Sequence, residues 1–463
     1  MPMYPRLVRH LIQPWHERLL RRRTFANLVE LEQQQWWAPD ELRRLQDVKL
    51  LSLLRHAYDR IPFYRRHLSR GGVNPHGPIP NVRSALHQLP PIHKDEIRAH
   101  LGEMIWRDAP GGLFPFSTGG STGVPLTFYL DRRRQGYDQA ARMRTHRWLG
   151  VDVGTRELYL WGSPIETSRT DRLKSVRDRL FNQRLLNAFH MSLTQLDSYL
   201  NEFDRFGPTS LFGYPSSIAR FVEHATHRGH RLRTKALRAV FVTGEVCFPH
   251  DRELIENYFD VPVANCYGSR EGGFVAHECP SGGMHTTDEN MIVEILKDGV
   301  PVAAGEPGDI VVTHLDAYAM PFIRYQTGDV GRLLPGRCEC GRGLGLMDVV
   351  SGRATDFLYL PSGEVKHALS IIYPLRELPG VRQFRVVQHE DYAITVDVVR
   401  DAETICITRE AVIDRVRPVI GRDAPVTVRL VDEIAPIGSG KHQYVVSRAK
   451  ESSEGNVQEV NAE

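Results

Sequence analysis

The run Ser117-Thr118-Gly119-Gly120-Ser121-Thr122-Gly123-Val124-Pro125 alternates glycines with hydroxyl side chains and closes on a proline. Glycine lets successive backbone N–H groups converge on one point. The hydroxyls of Thr118, Ser121 and Thr122 add donors around it, so the run suits an anion nest for a polyphosphate. An ordinary polar turn is the alternative. Four further segments carry matching chemistry. Thr243-Gly244-Glu245 follows an apolar strand pattern, and a glycine at a strand end lets a flat ligand lie against the backbone. Tyr267-Gly268-Ser269-Arg270-Glu271-Gly272-Gly273 offers a ring for stacking, a guanidinium fork for phosphate or carboxylate, and a carboxylate able to hold Mg²⁺ beside phosphates. Arg324-Tyr325-Gln326-Thr327-Gly328-Asp329 ends on an acceptor-only carboxylate after a tight turn, suited to a pair of hydroxyls on a ribose. Ile437-Gly438-Ser439-Gly440-Lys441 carries a point charge on a glycine loop, able to reach negative charge developing at phosphate or carboxylate. Taken singly, each also fits a turn, a surface ion pair or a solvated loop.

A second constellation would hold a metal. Cys279 and His285 lie six residues apart, and Cys338 and Cys340 follow on a separate glycine-rich loop. Three thiolates and one imidazole make a closed tetrahedral zinc site, structural rather than catalytic. His277 competes with His285 for the fourth place. The spacing is not that of a zinc finger, and four reduced residues on two unrelated loops are the alternative.

These groups need a scaffold. Residues 1–100 read as mostly helical: Leu50, Leu51, Leu53, Leu54 and Ala57 form one apolar face before Ile61-Pro62-Phe63 breaks it. From about 113 to 330 short apolar runs alternate with amphipathic stretches. Leu158–Trp161, Ala239–Val242, Val261–Asn265 and Ile310–Thr313 predict buried strands, and Asp251–Tyr258 a helix between them. That alternation predicts a layered α/β core. A boundary falls near 350–356. Beyond it, Phe384–Gln388 and Tyr392–Val398 predict a β-hairpin, with Thr427–Val431 as a third strand. The expected fold class is therefore α/β: a large layered α/β N-terminal domain with a small mobile α+β C-terminal domain. The tail 452–463 is polar and expected to be disordered.

The 463 residues are 41% hydrophobic and 25% charged, ordinary for a globular chain. With 59 basic and 56 acidic residues the net charge is +3, too little basic excess for nucleic acid as the main partner. The first 23 residues are locally basic, with Arg6, Arg9, Arg18, Arg21, Arg22 and Arg23 interleaved by Leu7, Leu11 and Leu19. They read as a solvated helix face, with an interfacial or partner-binding helix as the alternative. No apolar run approaches the roughly 20 residues of a membrane span, and the start lacks the apolar core of a signal peptide, so a cytoplasmic location is expected. Six cysteines in a chain this long do not suggest a disulfide framework.

In their order and spacing, Thr118-Gly-Gly-Ser-Thr-Gly-x-Pro, Thr243-Gly-Glu, Tyr267-Gly-Ser-x-Glu, Tyr325-x-Thr-Gly-Asp, Gly352-Arg353 and Gly438-Ser-Gly-Lys441 resemble the adenylate-forming superfamily. Its members include acyl- and aryl-CoA synthetases, nonribosomal adenylation domains and luciferases. The resemblance runs from about residue 50 to 447. It is nearest the phenylacetate–CoA ligase branch and its capsular-polysaccharide relatives, through Arg55-His56-Ala57-Tyr58 with Ile61-Pro62-Phe63-Tyr64, Pro321-Phe322-Ile323-Arg324-Tyr325 and Cys338-Glu339-Cys340-Gly341-Arg342. The resemblance implies a two-step ligase. A carboxylate attacks the α-phosphate of ATP with Mg²⁺, giving an acyl-adenylate and pyrophosphate, and CoA or an amine then displaces AMP. It implies an ATP- and carboxylate-binding domain over 1–351 and a mobile domain over 352–451 carrying Lys441.

By position, residues 118–123 (Thr118, Gly119, Gly120, Ser121, Thr122, Gly123) would wrap the β- and γ-phosphates. Gly244 and Glu245 would border the adenine, and Tyr267, with Gly268 and Ser269, would lie against it. Glu271 would hold Mg²⁺, Asp329 the ribose hydroxyls, and Arg353 the ribose or phosphate. Lys441 would bridge carboxylate and α-phosphate. The pivot would lie around Arg353–Asp356. Three departures stand out. Val124 occupies a place often held by lysine, Arg270 one usually held by threonine, and the pivot lacks the usual paired acids. Arg270 would return positive charge near the α-phosphate. Phe212 and Tyr214-Pro215-Ser216-Ser217 would line the acid's pocket or simply pack the core, and an aromatic or medium acyl acid is expected. The alternatives are transfer to an amine and a catalytically silent nucleotide-binding scaffold. The sequence is silent on oligomeric state.

Overall fold

The computed structural model describes residues 3–117, 126–162, 171–189, 191–233, 235–351, 357–362, 364–376, 378–400, 407–421, 423–434 and 444–449. The leading hundred residues are mostly helical, as expected. Pro39–Arg60 is the longest helix there; Pro39 opens it and the Glu41 carboxylate accepts the Ala38 N–H at 2.9 Å. Leu42, Leu50, Leu53, Leu54 and Ala57 are buried along one side. The helix stops at Ile61, held extended (φ −125°) by the following Pro62, which starts the helix Pro62–Arg70. These helices cover a core with Phe128, Val312, Phe322 and Tyr325.

Among the described residues the central sheet has twelve strands. Five parallel strands lie side by side in the order Gln183–Asn187, Glu157–Trp161, Ser210–Gly213, Ala239–Thr243 and Val263–Ser269. Their buried apolar residues, such as Leu158, Leu160, Leu211, Val240 and Val242, pack against helices, among them Leu193–Phe206, Pro215–His227 and Pro249–Phe259. At Val263–Ser269 the pattern switches. That strand turns back antiparallel into Gly273–Glu278, and the sheet continues antiparallel through Met284–Thr286, Leu346–Ser351, Tyr325–Leu334, Gly308–His314, Met291–Lys297 and Val300–Pro301. The strand expected from Val261 begins at Val263, because Pro262 has no N–H for the ladder; its carbonyl accepts Val240 N–H at 3.0 Å instead.

A separate four-stranded sheet has the order Val426–Val431, Ile394–Arg400, Val381–Gln388, Val445–Ser447. Its central hairpin and the strand near 427 match expectation. Val445–Ser447, parallel to Val381–Gln388, is too short to read from sequence. The helices Leu369–Arg376 and Arg409–Ile420 close a core of Phe384, Val386, Val396, Val398, Val412 and Val416. Among the described residues no helix is long and apolar enough to cross a membrane.

Candidate functional site

The hairpin turn Ser269–Gly273 lies where the sheet changes from parallel to antiparallel. Ser269 Oγ accepts the Gly272 N–H at 2.7 Å. Gly273 has φ +95°, and a Cβ there would stand 2.7 Å from the His314 ring, so the turn needs glycine. Arg134, buried on the helix Arg132–Trp148, braces the turn from below. It donates to the carbonyls of Glu271 (2.6 Å) and Arg270 (3.2 Å), with its guanidinium 5.3 Å from the Phe322 ring. Sequence reading missed it, because an arginine in an Arg-rich helix start looks solvated.

Glu271 is buried, and its Oε1 receives the Tyr325 hydroxyl at 2.9 Å and lies 3.2 Å from Lys94 Nζ. Tyr325 sits four strands away in sheet order, so the sheet curls to bring it back. Lys94 arrives by backbone register. Ile92 donates to the Arg324 carbonyl at 2.8 Å and accepts from Gln326 N–H at 3.0 Å, pinning the chain beside Tyr325 just before Lys94. Arg324 is itself held at φ +52° by a buried pair with Glu294 (2.9 Å) and by donation to the His87 carbonyl at 3.1 Å. Lys94 was also missed; its only sequence signal is a lysine in the first turn of a helix, where the dipole favours acids.

Thr327-Gly328-Asp329 follows on the same strand. Gly328 takes φ +84°; Thr327 Oγ1 donates to the Ile310 carbonyl (3.1 Å) and accepts the Asp329 N–H (3.2 Å). The turn thereby aims Asp329 at Tyr267, whose hydroxyl donates to Asp329 Oδ2 at 3.1 Å. On the neighbouring strand Thr243 Oγ1 donates to the Cys266 carbonyl at 2.7 Å. Gly244 turns at φ +83° against the Tyr214 ring, where a Cβ would come within 3.1 Å. Tyr214 stacks on Trp161 at 4.0 Å and 15°. Glu245 accepts from Ser216 Oγ at 2.5 Å and lines a cavity of about 260 Å³ with Arg220, Phe248, His250 and Tyr359. Tyr359 comes from the segment beyond residue 351.

Arg270 is exposed and donates from Nη1 to the Ser117 carbonyl at 3.3 Å, so it stands at the entrance to the glycine run. The structure therefore gathers Tyr267, Gly268, Ser269, Arg270, Glu271 and Asp329, with Gly244 and Glu245 on the adjoining strand end. Thr118, Gly119, Gly120, Ser121, Thr122, Gly123, Arg353 and Lys441 lie outside the described residues.

The two cysteine segments do meet. The ligand atoms of Cys279, His285, Cys338 and Cys340 all lie within 4.8 Å of one another. Cys279 Sγ is 3.6 Å from Cys338 Sγ and His285 Nε2 is 3.1 Å from Cys340 Sγ. Sulfurs around a tetrahedral zinc stand about 3.8 Å apart, whereas a disulfide needs about 2.05 Å, so the donor set and spacing fit a structural zinc. His285 Nδ1 faces the Leu344 carbonyl at 3.2 Å, which fixes the ring to present Nε2. His277 lies outside this group, with Nδ1 2.7 Å from the Glu278 carbonyl, and the rivalry for the fourth place falls to His285. The loop carrying Cys338 and Cys340 is held against the N-terminal helices. Gly343 N–H donates to the Gln35 carbonyl at 3.0 Å, and the Arg342 guanidinium lies 4.9 and 4.2 Å from the Trp36 and Trp148 rings.

No family model matches the chain. Among curated proteins it is 26% identical to the phenylacetate–coenzyme A ligase of Thermus thermophilus, over an alignment covering 69% of this chain and 72% of that protein. The corresponding Escherichia coli ligase is 26% identical over 69% and 73%. The chain is a relative of the phenylacetate–coenzyme A ligases. It is also 26% identical to Protein CapK of Staphylococcus aureus, where the alignment spans about half of each chain (53%). In fold it matches 2-hydroxyisobutyryl-CoA ligase. The TM-score is 0.60 at 19% identity, over 90% of this chain and 91% of that one, for the complex with 2-HIB-AMP and CoA in the thioesterification state. It is 0.58 at 18% identity, over 89% and 93%, for an open conformation. The expected resemblance to adenylate-forming enzymes stands, and so does the expected mixed α/β fold with its large layered sheet.

Proposed function

We propose that this relative of the phenylacetate–coenzyme A ligases is an ATP-dependent, AMP-forming acid–CoA ligase. The observation that carries the reading is that the hairpin bearing Tyr267 and Glu271, where the sheet changes direction, meets the strand Tyr325–Leu334 four places away, through Tyr267 on Asp329 and Tyr325 on Glu271.

In the first step a carboxylate oxygen of the acid bonds to the α-phosphorus of ATP and the bond to pyrophosphate breaks. In the second, the sulfur of CoA bonds to the acyl carbon and AMP leaves. Asp329 accepts from the ribose hydroxyls, with Tyr267 orienting it and offering its ring to the base, while Gly244 and Glu245 border the base. Arg270 stands at the entrance to residues 118–123, where it neutralises phosphate charge, and Lys441 supplies the positive charge between carboxylate and α-phosphate. Glu271 would hold Mg²⁺, which neutralises phosphate charge when bound. Trp161 and Tyr214 form the wall for an aromatic or medium acyl acid. Cys279, His285, Cys338 and Cys340 would hold zinc, whose part is to fasten the 338–345 loop. The segment 352–451 turns about Arg353–Asp356 against residues 1–351 between steps, with Tyr359 and Glu245 lining the shared cavity. A ligase fed by ATP and CoA belongs in the cytoplasm.

The test is pyrophosphate release over a panel of carboxylic acids, followed by addition of CoA or amines. The reading expects acid-dependent pyrophosphate release and a thioester with CoA. AMP release that requires an amine and ignores CoA points to amide formation, and absence of any release points to a silent scaffold.

A further inference from the structure

The N-terminal helix has a surface the ligase reading does not use. Helical segments run without a break from Met3 to Leu19, with a π-helical stretch at Val8–Ile12. Met3, Leu7, Leu11, Trp15 and Leu19 recur every four residues and are 88, 43, 59, 63 and 61% exposed. Four residues overshoot a 3.6-residue turn by about 40°, and the wider π turns take up part of that drift. The result is an apolar stripe about 24 Å long. Val8, Gln13 and Glu17 face inward.

The exposed charges along the helix itself are basic. Glu17 is the only acid among residues 3–23, and it is buried, accepting from Thr24 Oγ1 at 2.5 Å. Arg9 and Arg22 are used inward, on Asp152 (2.6 Å) and Gln135 (2.9 Å). Arg6, Arg18, Arg21 and Arg23 are exposed. The stripe extends sideways: Tyr4 hydroxyl donates to the Leu180 carbonyl at 2.9 Å, joining a helix end where Val176 and Leu180 are 54% and 48% exposed beside Arg177 and Arg179, with the one acid between them, Asp178, paired to Arg177 at 2.6 Å. Scattered surface leucines need no explanation, but a continuous row with a tryptophan and a predominantly basic border does. A second copy would press arginines against arginines, whereas an anionic lipid surface accepts both the apolar row and the charge.

We propose that this helix docks the protein on anionic membrane surfaces, lying in the headgroup plane without crossing the bilayer. Pro5 and Val8 pack on Gly154, just ahead of the strand Glu157–Trp161, whereas the candidate site leaves the opposite, C-terminal ends of the parallel strands. Docking through the stripe leaves that site open.

The experiment is flotation of the full chain with vesicles of phosphatidylcholine alone or with about one-third phosphatidylglycerol. Wild type floats with the mixed vesicles only, and release follows at about 0.5 M salt, where the Debye length is short. Leu11→Ser/Trp15→Ser abolishes flotation, and Arg6→Gln and Arg18→Gln each weaken it about fivefold. Pyrophosphate release in solution and the thermal melt stay at wild-type values in the serine variant, because both side chains are already exposed. Failure of the wild type to float, or equal flotation of the serine variant, overturns the proposal. So does a dimer in solution that the serine variant dissolves while vesicles are ignored.

Discussion

Lys94 Nζ lies 3.2 Å from Glu271 Oε1, and both side chains are buried. A buried carboxylate kept charged for work on phosphates needs a cation beside it, and removing one partner of such a pair is costly. Lys94→Met should lower stability by about 3 kcal/mol in urea unfolding. Glu271→Gln keeps the shape but leaves Lys94 as the unpaired buried charge, so it should cost comparable stability and also cut pyrophosphate release about 100-fold when assayed on the folded fraction. A Lys94→Met protein as stable as wild type would show that the pair is not what holds this carboxylate in place.

Asp329 is oriented twice, by Thr327 through its own N–H and by the Tyr267 hydroxyl at 3.1 Å. Asp329→Ala removes the acceptor itself and should weaken ATP binding by about 10- to 100-fold. Tyr267→Phe keeps the ring and loses the hydroxyl that bridges Asp329 and Thr327, about fivefold. Calorimetric titration with ATP distinguishes the two, and equal losses would mean that the hydroxyl, not the carboxylate, is the main contact.

The sequence made these turns legible because glycine and hydroxyl chemistry is local. Gly273 and Gly328 stand at positive φ, and Ser269 and Thr327 close their own turns. Lys94 and Arg134 were not legible. What places Lys94 is the pairing of Ile92 with Tyr325, more than two hundred residues on, and what fixes Arg134 is two carbonyls of a distant hairpin. Such placements are set by sheet curvature, which no local pattern records. The cysteine segments lie between: their residue types suit a metal, and only the pairing of Met284–Thr286 with its neighbours showed that His285, not His277, faces the thiols.

Purified protein should carry about one equivalent of zinc, lost on chelation. Cys338→Ser should lower both the metal content and the melting temperature, since the 338–345 loop is what Gln35 and Trp36 pack against. A metal-free wild type with an unchanged melt sinks the assignment.

Lys441 lies outside the described residues, so its role rests on the motif it ends. Lys441→Ala should reduce pyrophosphate release at least about 100-fold while ATP affinity changes little, because its charge acts on the adenylation transition state. Unchanged pyrophosphate release in this variant removes Lys441 from the first step.

His146 provides a pH test independent of the site. Its ring stacks on Phe241 at 3.8 Å and 5°, and Nε2 is buried with no hydrogen-bond partner among the described residues. Burial pushes its pKa well below the usual histidine value, and the neighbouring Arg142 and His277 push the same way. The unfolded chain takes up this proton near pH 6.5 and the folded chain does not. Stability is therefore full above that pH and falls below it, by about 1.4 kcal/mol per unit, until the folded pKa is reached. His146→Phe cannot take the proton in either state. Urea unfolding at about pH 7.5 and 5.5 should show the wild type losing roughly 1.4 kcal/mol more than the variant across that range. Parallel pH profiles for the two proteins would mean that the folded state protonates His146 as readily as the unfolded one.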